Sequence, residues 1–196
     1  GIGDRQERGM NRFAHVGMTT RVIGGHWVWS PRMQQMARDN EIEAYVLPGG
    51  VIMQLMREVA ARRPGLITHV GLGTFVDPRL DGGRMNEAAK QTLTEIITID
   101  GRDYLRYLPI PVTVALLRGS YADEDGNISL EEEPANLDIY AIAAAAHNNG
   151  GKVIFQVRGK VPRHSMKARE VRIPAALVDA VVVDATQRQG YDLVYD

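Results

Sequence analysis

Three times within the first 75 residues, a short apolar run ends in glycine. Arg21-Val22-Ile23 runs into Gly24-Gly25-His26-Trp27, Ala44-Tyr45-Val46-Leu47 into Pro48-Gly49-Gly50, and Leu66-Ile67-Thr68-His69-Val70 into Gly71-Leu72-Gly73-Thr74-Phe75. Runs this short and apolar read as buried strands. After the second, Val51, Ile52, Leu55, Met56 and Val59 recur at the spacing of one helix face. A strand that turns into a helix over glycine carries backbone N–H groups and a helix N-terminus to the carboxyl end of its sheet. Open α/β sheets take their ligands there. Right-handed crossovers between parallel strands would set all three turns along one edge, and glycine there lets a ligand come close to the backbone.

The remaining pattern fills in an α/β chain. Met10, Phe13, Val16 and Met18 are compatible with a helix over Arg8 to Thr20, weakened by Gly9 and Gly17. Ser30-Pro31 is a strong helix start, serine as N-cap and proline at the first position, for a helix to about Asn40 with Met33, Met36 and Ala37 inward. The next helix ends near Arg62-Arg63-Pro64-Gly65, and Asp77 to Arg84 is a polar, glycine-rich loop. Asp100-Gly101-Arg102, between Glu95–Ile99 and Asp103–Leu108, predicts a β-hairpin. Val112 to Leu117 reads as a buried strand, Asp123 to Asn127 as a turn, and Glu131-Glu132-Glu133 as a solvated loop. An alanine-rich helix from Ala135 to His147 stops at Asn148-Asn149-Gly150-Gly151, followed by strands over Lys152–Val157 and Val178–Val183. The expectation is a single α/β domain over residues 1–196: a largely parallel sheet flanked by helices, with an antiparallel hairpin attached.

Composition narrows the chemistry. Net charge is −1 with acids and bases interspersed, which argues against a nucleic-acid surface or a polybasic membrane patch. The absence of cysteine excludes disulfides, thiolate chemistry and cysteine-based zinc sites. No apolar run approaches the roughly 20 residues of a membrane span, and the N-terminus is not signal-like, so the expected location is cytoplasmic. The ends, Gly1-Ile2-Gly3-Asp4 and Gly190 to Asp196, read as those of a segment of a longer polypeptide.

Gly71-Leu72-Gly73 has two glycines of a dinucleotide fingerprint but Val76 in place of the third, and it follows the third strand rather than the first. Gly150-Gly151-Lys152-Val153 lacks P-loop spacing and is better explained as a helix stop. The histidines at 15, 26, 69, 147 and 164 show no metal-ligand spacing; His26 stands out because it follows Gly24-Gly25 at the ligand edge. Trp27 and Trp29 suit either a pocket floor or core packing. There is no Ser-His-Asp order and no carboxylate isolated among apolar residues. The residues alone describe a binding edge without a reactive group.

Gly24-Gly25-His26-Trp27, Leu47-Pro48-Gly49-Gly50-Val51 and Thr68 to Arg79 resemble, in order and spacing, the family I coenzyme A transferases. Leu117-Arg118-Gly119, Asn136-Leu137-Asp138, His147 to Val153 and Ile173-Pro174 extend the resemblance over essentially the whole chain. It implies the N-terminal, α-type half of a short-chain acyl-CoA:acetate or acetoacetate CoA-transferase. That half would lack its first strand here, and the β-type half would be missing. The fold implied is shared with ribose-5-phosphate isomerases. The family's reaction is ping-pong: a glutamate of the β-type half attacks the acyl-CoA thioester, CoA thiolate converts it to a glutamyl-CoA thioester, and an incoming carboxylate collects the CoA. Expected ligands are acyl-CoA and a short-chain carboxylate, with coenzyme A as substrate and no other cofactor. The expected partners are the β-type half and further copies in a homo-oligomer. The implied substrate-binding residues are Gly24, Gly25, His26, Pro48, Gly49, Gly50, Gly71, Leu72, Gly73, Thr74 and Phe75. The resemblance nominates no catalytic residue and no metal ligand in this chain. Where the family typically has Pro-Gln-Gly, this chain has Pro48-Gly49-Gly50. The alternative reading is a non-enzymatic module of the same fold that binds a small anion at the glycine edge.

Overall fold

The computed structural model describes residues 9–187. They form two compact units, one from the chain up to Leu55 with Pro64–Pro109, the other from Met56–Arg63 with the chain from Ile110 onward. The class is mixed α/β, with parallel sheets flanked by three helices and antiparallel strands beside them.

In the first unit, the helix expected over residues 8–20 is reduced to a single 3-10 turn, Gly9–Phe13. Gly9 and Gly17 both have positive φ, 52° and 84°, which removes them from the right-handed helical region. β1 (Arg21–Gly24), α1 (Pro31–Arg38) and β2 (Glu43–Val46) follow, and β1 and β2 pair in parallel with Gly24 beside Val46. Ser30 occupies the N-cap position and Pro31 the first helical position, as the sequence predicts. The Ser30 hydroxyl, however, donates to the Asn11 side chain instead of capping the helix. Met33, Met36 and Ala37 turn inward and join Val22, Trp27, Ile42 and Ala44 in one buried cluster. Each large side chain so buried contributes about 1.5–3 kcal/mol. α2 (Gly49–Ala60) starts at the Pro48 corner, and Val51, Leu55, Met56 and Val59 are its buried stripe.

The third apolar run departs from expectation. β3 (Leu66–Thr68) pairs antiparallel with β5 (Arg102–Tyr107), which pairs antiparallel with β4 (Thr94–Ile99), in the order β3-β5-β4. The hairpin leaves β5 with a free edge, and the three-residue β3 satisfies it. Gly65 allows the approach: at φ 124° it passes so close to β5 that a Cβ would lie 2.2 Å from the Tyr107 carbonyl oxygen. The hairpin itself forms where Asp-Gly predicts it, with Asp100 at φ 50° and Gly101 at φ 75°.

In the second unit β6 (Val114–Arg118), β9 (Lys152–Val157) and β12 (Ala180–Val183) make a parallel sheet in the order β12-β9-β6. α3 (Ile139–Asn148) covers one face, where Ala143 and Ala146 pack with Val153, Phe155 and Val157. The asparagines of the expected helix stop do more than stop α3. Asn148 Nδ2 donates to Ala60 O at 2.8 Å and Asn149 Nδ2 to Val59 O at 3.2 Å, capping carbonyls at the end of α2.

A second sheet, β10-β7-β8-β11, is built from β7 (Tyr121–Asp123), β8 (Ile128–Ser129), β10 (Gly159–Val161) and β11 (Val171–Ile173). Strands of two or three residues are too short for periodicity to reveal. The triple acid is a correction too. The Glu133 side chain is buried and accepts from Arg118 Nη2 at 2.7 Å, while Glu132 accepts from the Tyr121 hydroxyl and from Arg158 Nη1, each at 2.8 Å. Among the described residues, no helix is long and apolar enough to cross a membrane.

Candidate functional site

The carboxyl ends of β1 and β2 lie side by side because the ladder runs past the strands: Leu47 N donates to Gly24 O at 3.1 Å. Beyond that bond the two glycine turns touch. A Cβ at Gly25 would lie 3.3 Å from Gly49 Cα and 3.7 Å from Leu47 O, so the main chains meet with no side chain between them. The corner then opens. Beside Gly49 and Gly50 there is free space where a side chain would stand, and both are exposed. They begin α2; Val51 N and Ile52 N donate to Pro48 O at 2.9 and 3.1 Å, which leaves Gly49 and Gly50 as the first-turn residues whose amides have no acceptor within the helix.

The third turn reaches this edge by another route. After β3 the chain folds back as a loop, and Gly83 O accepts from Val46 N at 2.8 Å while Tyr45 and Arg84 form an antiparallel bridge. Gly83 N in turn donates to Phe75 O at 2.9 Å. A row of backbone contacts therefore runs from Gly24 through Leu47, Val46 and Gly83 to Phe75. Parallel pairing of β3, the expected reason for convergence, is not the cause; the loop is.

Asp77 shapes that loop. Almost fully buried, it accepts from Gly73 N at 2.8 Å, from Arg79 N at 3.0 Å, and from Arg79 Nε and Nη2 at 2.9 and 2.7 Å. The Arg79 guanidinium first, and the Gly73 amide second, hold its carboxyl well below the usual carboxylate range. The sequence reading passed over Asp77 as part of a polar loop. Its signal was available, since aspartate before Pro-Arg is placed to accept the backbone N–H two residues on. Asn86 was passed over as well. It donates to Ala37 O and Ile42 O, both at 2.8 Å, and accepts from Ala44 N at 3.2 Å, which fixes the start of β2.

The expected site residues thus divide. Gly25 and Gly49 meet directly, Gly24, Pro48 and Gly50 are their neighbours in the two turns, and Phe75 stands in the same row with its ring half-exposed. Gly73 and Thr74 are exposed on the loop, Leu72 is half-buried, and Gly73 has open space at φ 70°. Gly71 serves packing: at φ 100°, a Cβ there would meet Val76 at 2.4 Å and the Tyr107 hydroxyl at 2.5 Å. His26 is exposed, its ring edge-on to Trp29 with centroids 5.0 Å apart. Of the two tryptophans, Trp27 belongs to the core cluster. Among the described residues no group of three or more acidic or histidine side chains is arranged to hold a metal ion.

Residues 2–184 match the model of the coenzyme A transferase family. The chain belongs to that family. It is 47% identical over 182 residues to the caffeate CoA-transferase of Acetobacterium woodii, covering 93% of this chain and 35% of that one. It is 25% identical over 174 residues to the acetoacetyl-CoA:acetate/butyrate CoA transferase alpha subunit of Clostridium acetobutylicum, covering 89% of this chain and 71% of the subunit. Among solved structures it superposes with a TM-score of 0.93 on the acyl-CoA transferase YdiF from Escherichia coli O157:H7, determined as a thioester complex with CoA. The identity there is 43%, over 97% of this chain and 37% of that one. This CoA-transferase chain therefore spans little more than a third of the longer relatives.

Proposed function

We propose that this chain forms one wall of the acyl pocket in an enzyme that moves CoA between a short-chain acyl-CoA and a carboxylate. The observation that carries the reading is the side-chain-free meeting of Gly25 with Gly49, beside open space at Gly49 and Gly50, in a chain of this family. Such a surface lets a flat acyl thioester lie against backbone, with the Gly49 and Gly50 amides at the start of α2 left to face developing negative charge.

The nucleophile in this reading is a glutamate in polypeptide outside these residues. The glutamates the sequence might offer are engaged elsewhere: Glu132 and Glu133 pair with Arg158 and Arg118, and Glu170 pairs with Lys167. The external carboxylate attacks the thioester carbonyl, giving an enzyme–acyl anhydride and CoA thiolate. The thiolate attacks the glutamyl carbonyl, releasing the acyl carboxylate and leaving glutamyl-CoA. An acceptor carboxylate reverses the sequence, so that a new acyl-CoA departs and the glutamate is regenerated. The relative solved as a thioester complex with CoA supports this route, and the relative named as an alpha subunit supports completion by a second, β-type part.

The test uses the complete enzyme that carries this segment. Incubated with acetyl-CoA and no acceptor, it should gain the mass of one CoA less one water on a single glutamate-containing peptide. A folded, complete protein that gains no such mass while still binding carboxylates at the glycine row would instead be a non-enzymatic module.

A further inference from the structure

Phe75 stays out of the core although the two residues after it, Val76 and Asp77, are almost fully buried. Val76 is anchored by its carbonyl, which accepts from the buried Thr94 hydroxyl at 2.7 Å. A ring left outside such an anchor stays put only if its own backbone is held, and Asp77 holds it twice. The Asp77 N–H donates to Thr74 O at 2.9 Å, closing a four-residue turn with Phe75 in its first central position. Its carboxylate accepts from Gly73 N at 2.8 Å, which closes the chain on the other side of Thr74. That carboxylate is fixed in turn by the Arg79 guanidinium, which also reaches Asp103 of β5 at 3.4 Å; Asp103 accepts from Thr98 of β4 at 3.0 Å. The turn that carries Phe75 is therefore tied to the hairpin ladder.

The row of backbone contacts gives the ring a place relative to the glycine corner. From Gly25 and Gly49, where the main chains touch, the row passes Leu47, which is buried, and Gly83, which has no side chain, before it reaches Phe75. Phe75 is the first exposed large side chain along it. Hydrogen-bonded neighbours of this kind are roughly 5 Å apart, so two steps, β2 to Gly83 and Gly83 to Phe75, set the ring's backbone roughly 10 Å from β2. An acetyl group seated at the glycine corner ends well short of that. The tail of an octanoyl group laid along the row does not.

We infer that Phe75 sets the upper limit on acyl length in this CoA-transferase, and that Asp77 is the positioning residue that keeps the ring there. The inference rests on the acyl pocket proposed above for its ligand, but not on the glutamyl chemistry.

The complete enzyme tests it through a ratio, kcat/KM for octanoyl-CoA over kcat/KM for acetyl-CoA. Beside it stands the Kd of octanoate relative to that of acetate, measured by calorimetry, which needs no turnover. Phe75→Ala, at an exposed position, should raise the kinetic ratio roughly tenfold or more, the scale on which an apolar pocket discriminates by chain length, and should tighten octanoate relative to acetate in step. Asp77→Asn should raise the kinetic ratio in the otherwise unsubstituted enzyme and leave it unmoved where Phe75 is already alanine, because no ring remains to be positioned. Should Asp77→Asn not fold, Arg79→Lys, which loosens the same carboxylate from an exposed position, should give the same pattern. Both ratios unmoved by Phe75→Ala would overturn the inference. An Asp77→Asn shift of equal size in both backgrounds would overturn the part given to Asp77, since a general loosening of the loop acts without Phe75. An enzyme that transfers no CoA, yet shows the shift in Kd, would count against the proposed reaction and leave the length limit standing.

Discussion

At the scale of single residues, the edge is made by side chains that are absent. Gly25 and Gly49 face each other, yet substitutions at them should behave oppositely. An alanine at Gly25 places a methyl 3.3 Å from the Gly49 backbone, which cannot rotate away, so the two turns must part by a few tenths of an ångström. We expect Gly25→Ala to lower kcat/KM of the complete enzyme roughly tenfold or more, since small displacements of reacting groups are costly, with only about 1 kcal/mol lost in a urea titration. Gly49→Ala meets open space at an ordinary φ and should leave stability unchanged or raise it by a few tenths of a kcal/mol. The same space admits a longer side chain, so Gly49→Gln, which restores the residue typical of the family, should raise turnover on acetyl-CoA; unchanged steady-state kinetics would argue against a role for that position. Asp77 is the opposite kind of residue, a buried carboxylate with every donor accounted for. Asp77→Asn turns an amide toward N–H donors and should cost about 2 kcal/mol in chemical denaturation.

At the scale of elements, the turns decide where strands go. Asp100 and Gly101 both occupy the left-handed region, as a two-residue hairpin requires. Gly101→Ala should cost about 1 kcal/mol and speed amide exchange throughout β4 and β5 together, because a loosened turn frees the whole ladder. Their sequence identified this hairpin, but not its consequence, which was to offer β5 as an edge for β3. Asn148 and Asn149 illustrate a second limit. As the end of α3 they were legible; as caps on α2 they were not, since that role depends on residues some 90 positions away. Asn149 Nδ2 also donates to Ala145 O at 2.6 Å, so removing both amides loses three hydrogen bonds and should destabilise the protein by about 3 kcal/mol at about 1 kcal/mol each, measurable as a lower urea midpoint.

At the scale of the whole molecule, stability should depend on pH in a way the ion pairs set. Asp77, Glu132 and Asp179 all have carboxyl groups held below their ordinary range, by Arg79, by the Tyr121 hydroxyl and by Lys152 respectively as the leading causes. A depressed folded pKa gives stability that is present above the unfolded value near 4 and lost as pH falls through the folded one. Tyr107 acts at the other end. Burial pushes its hydroxyl up to about 12, so its contribution is complete below the unfolded value near 10 and lost as pH rises toward 12. The melting midpoint should therefore be flat from roughly pH 5 to 9 and fall on both sides. A fall beginning near neutrality would mean that a different group, not these, governs stability.

The sequence by itself determined the elements that depend on neighbours a few residues apart. These are the glycine-ended strands, the Ser30-Pro31 helix start, the Asp-Gly hairpin, and the motif order that marks the family. Periodicity, caps and turns are local, and the chain states them directly. Only the tertiary structure decided how the three glycine turns come together. Two meet through parallel pairing of β1 and β2, while the third arrives on a loop tied down by Asp77 and Gly83. Strand partnership is chosen by which free edge is available once everything else has folded. No residue of β3 carries that information, because it belongs to the edge of β5.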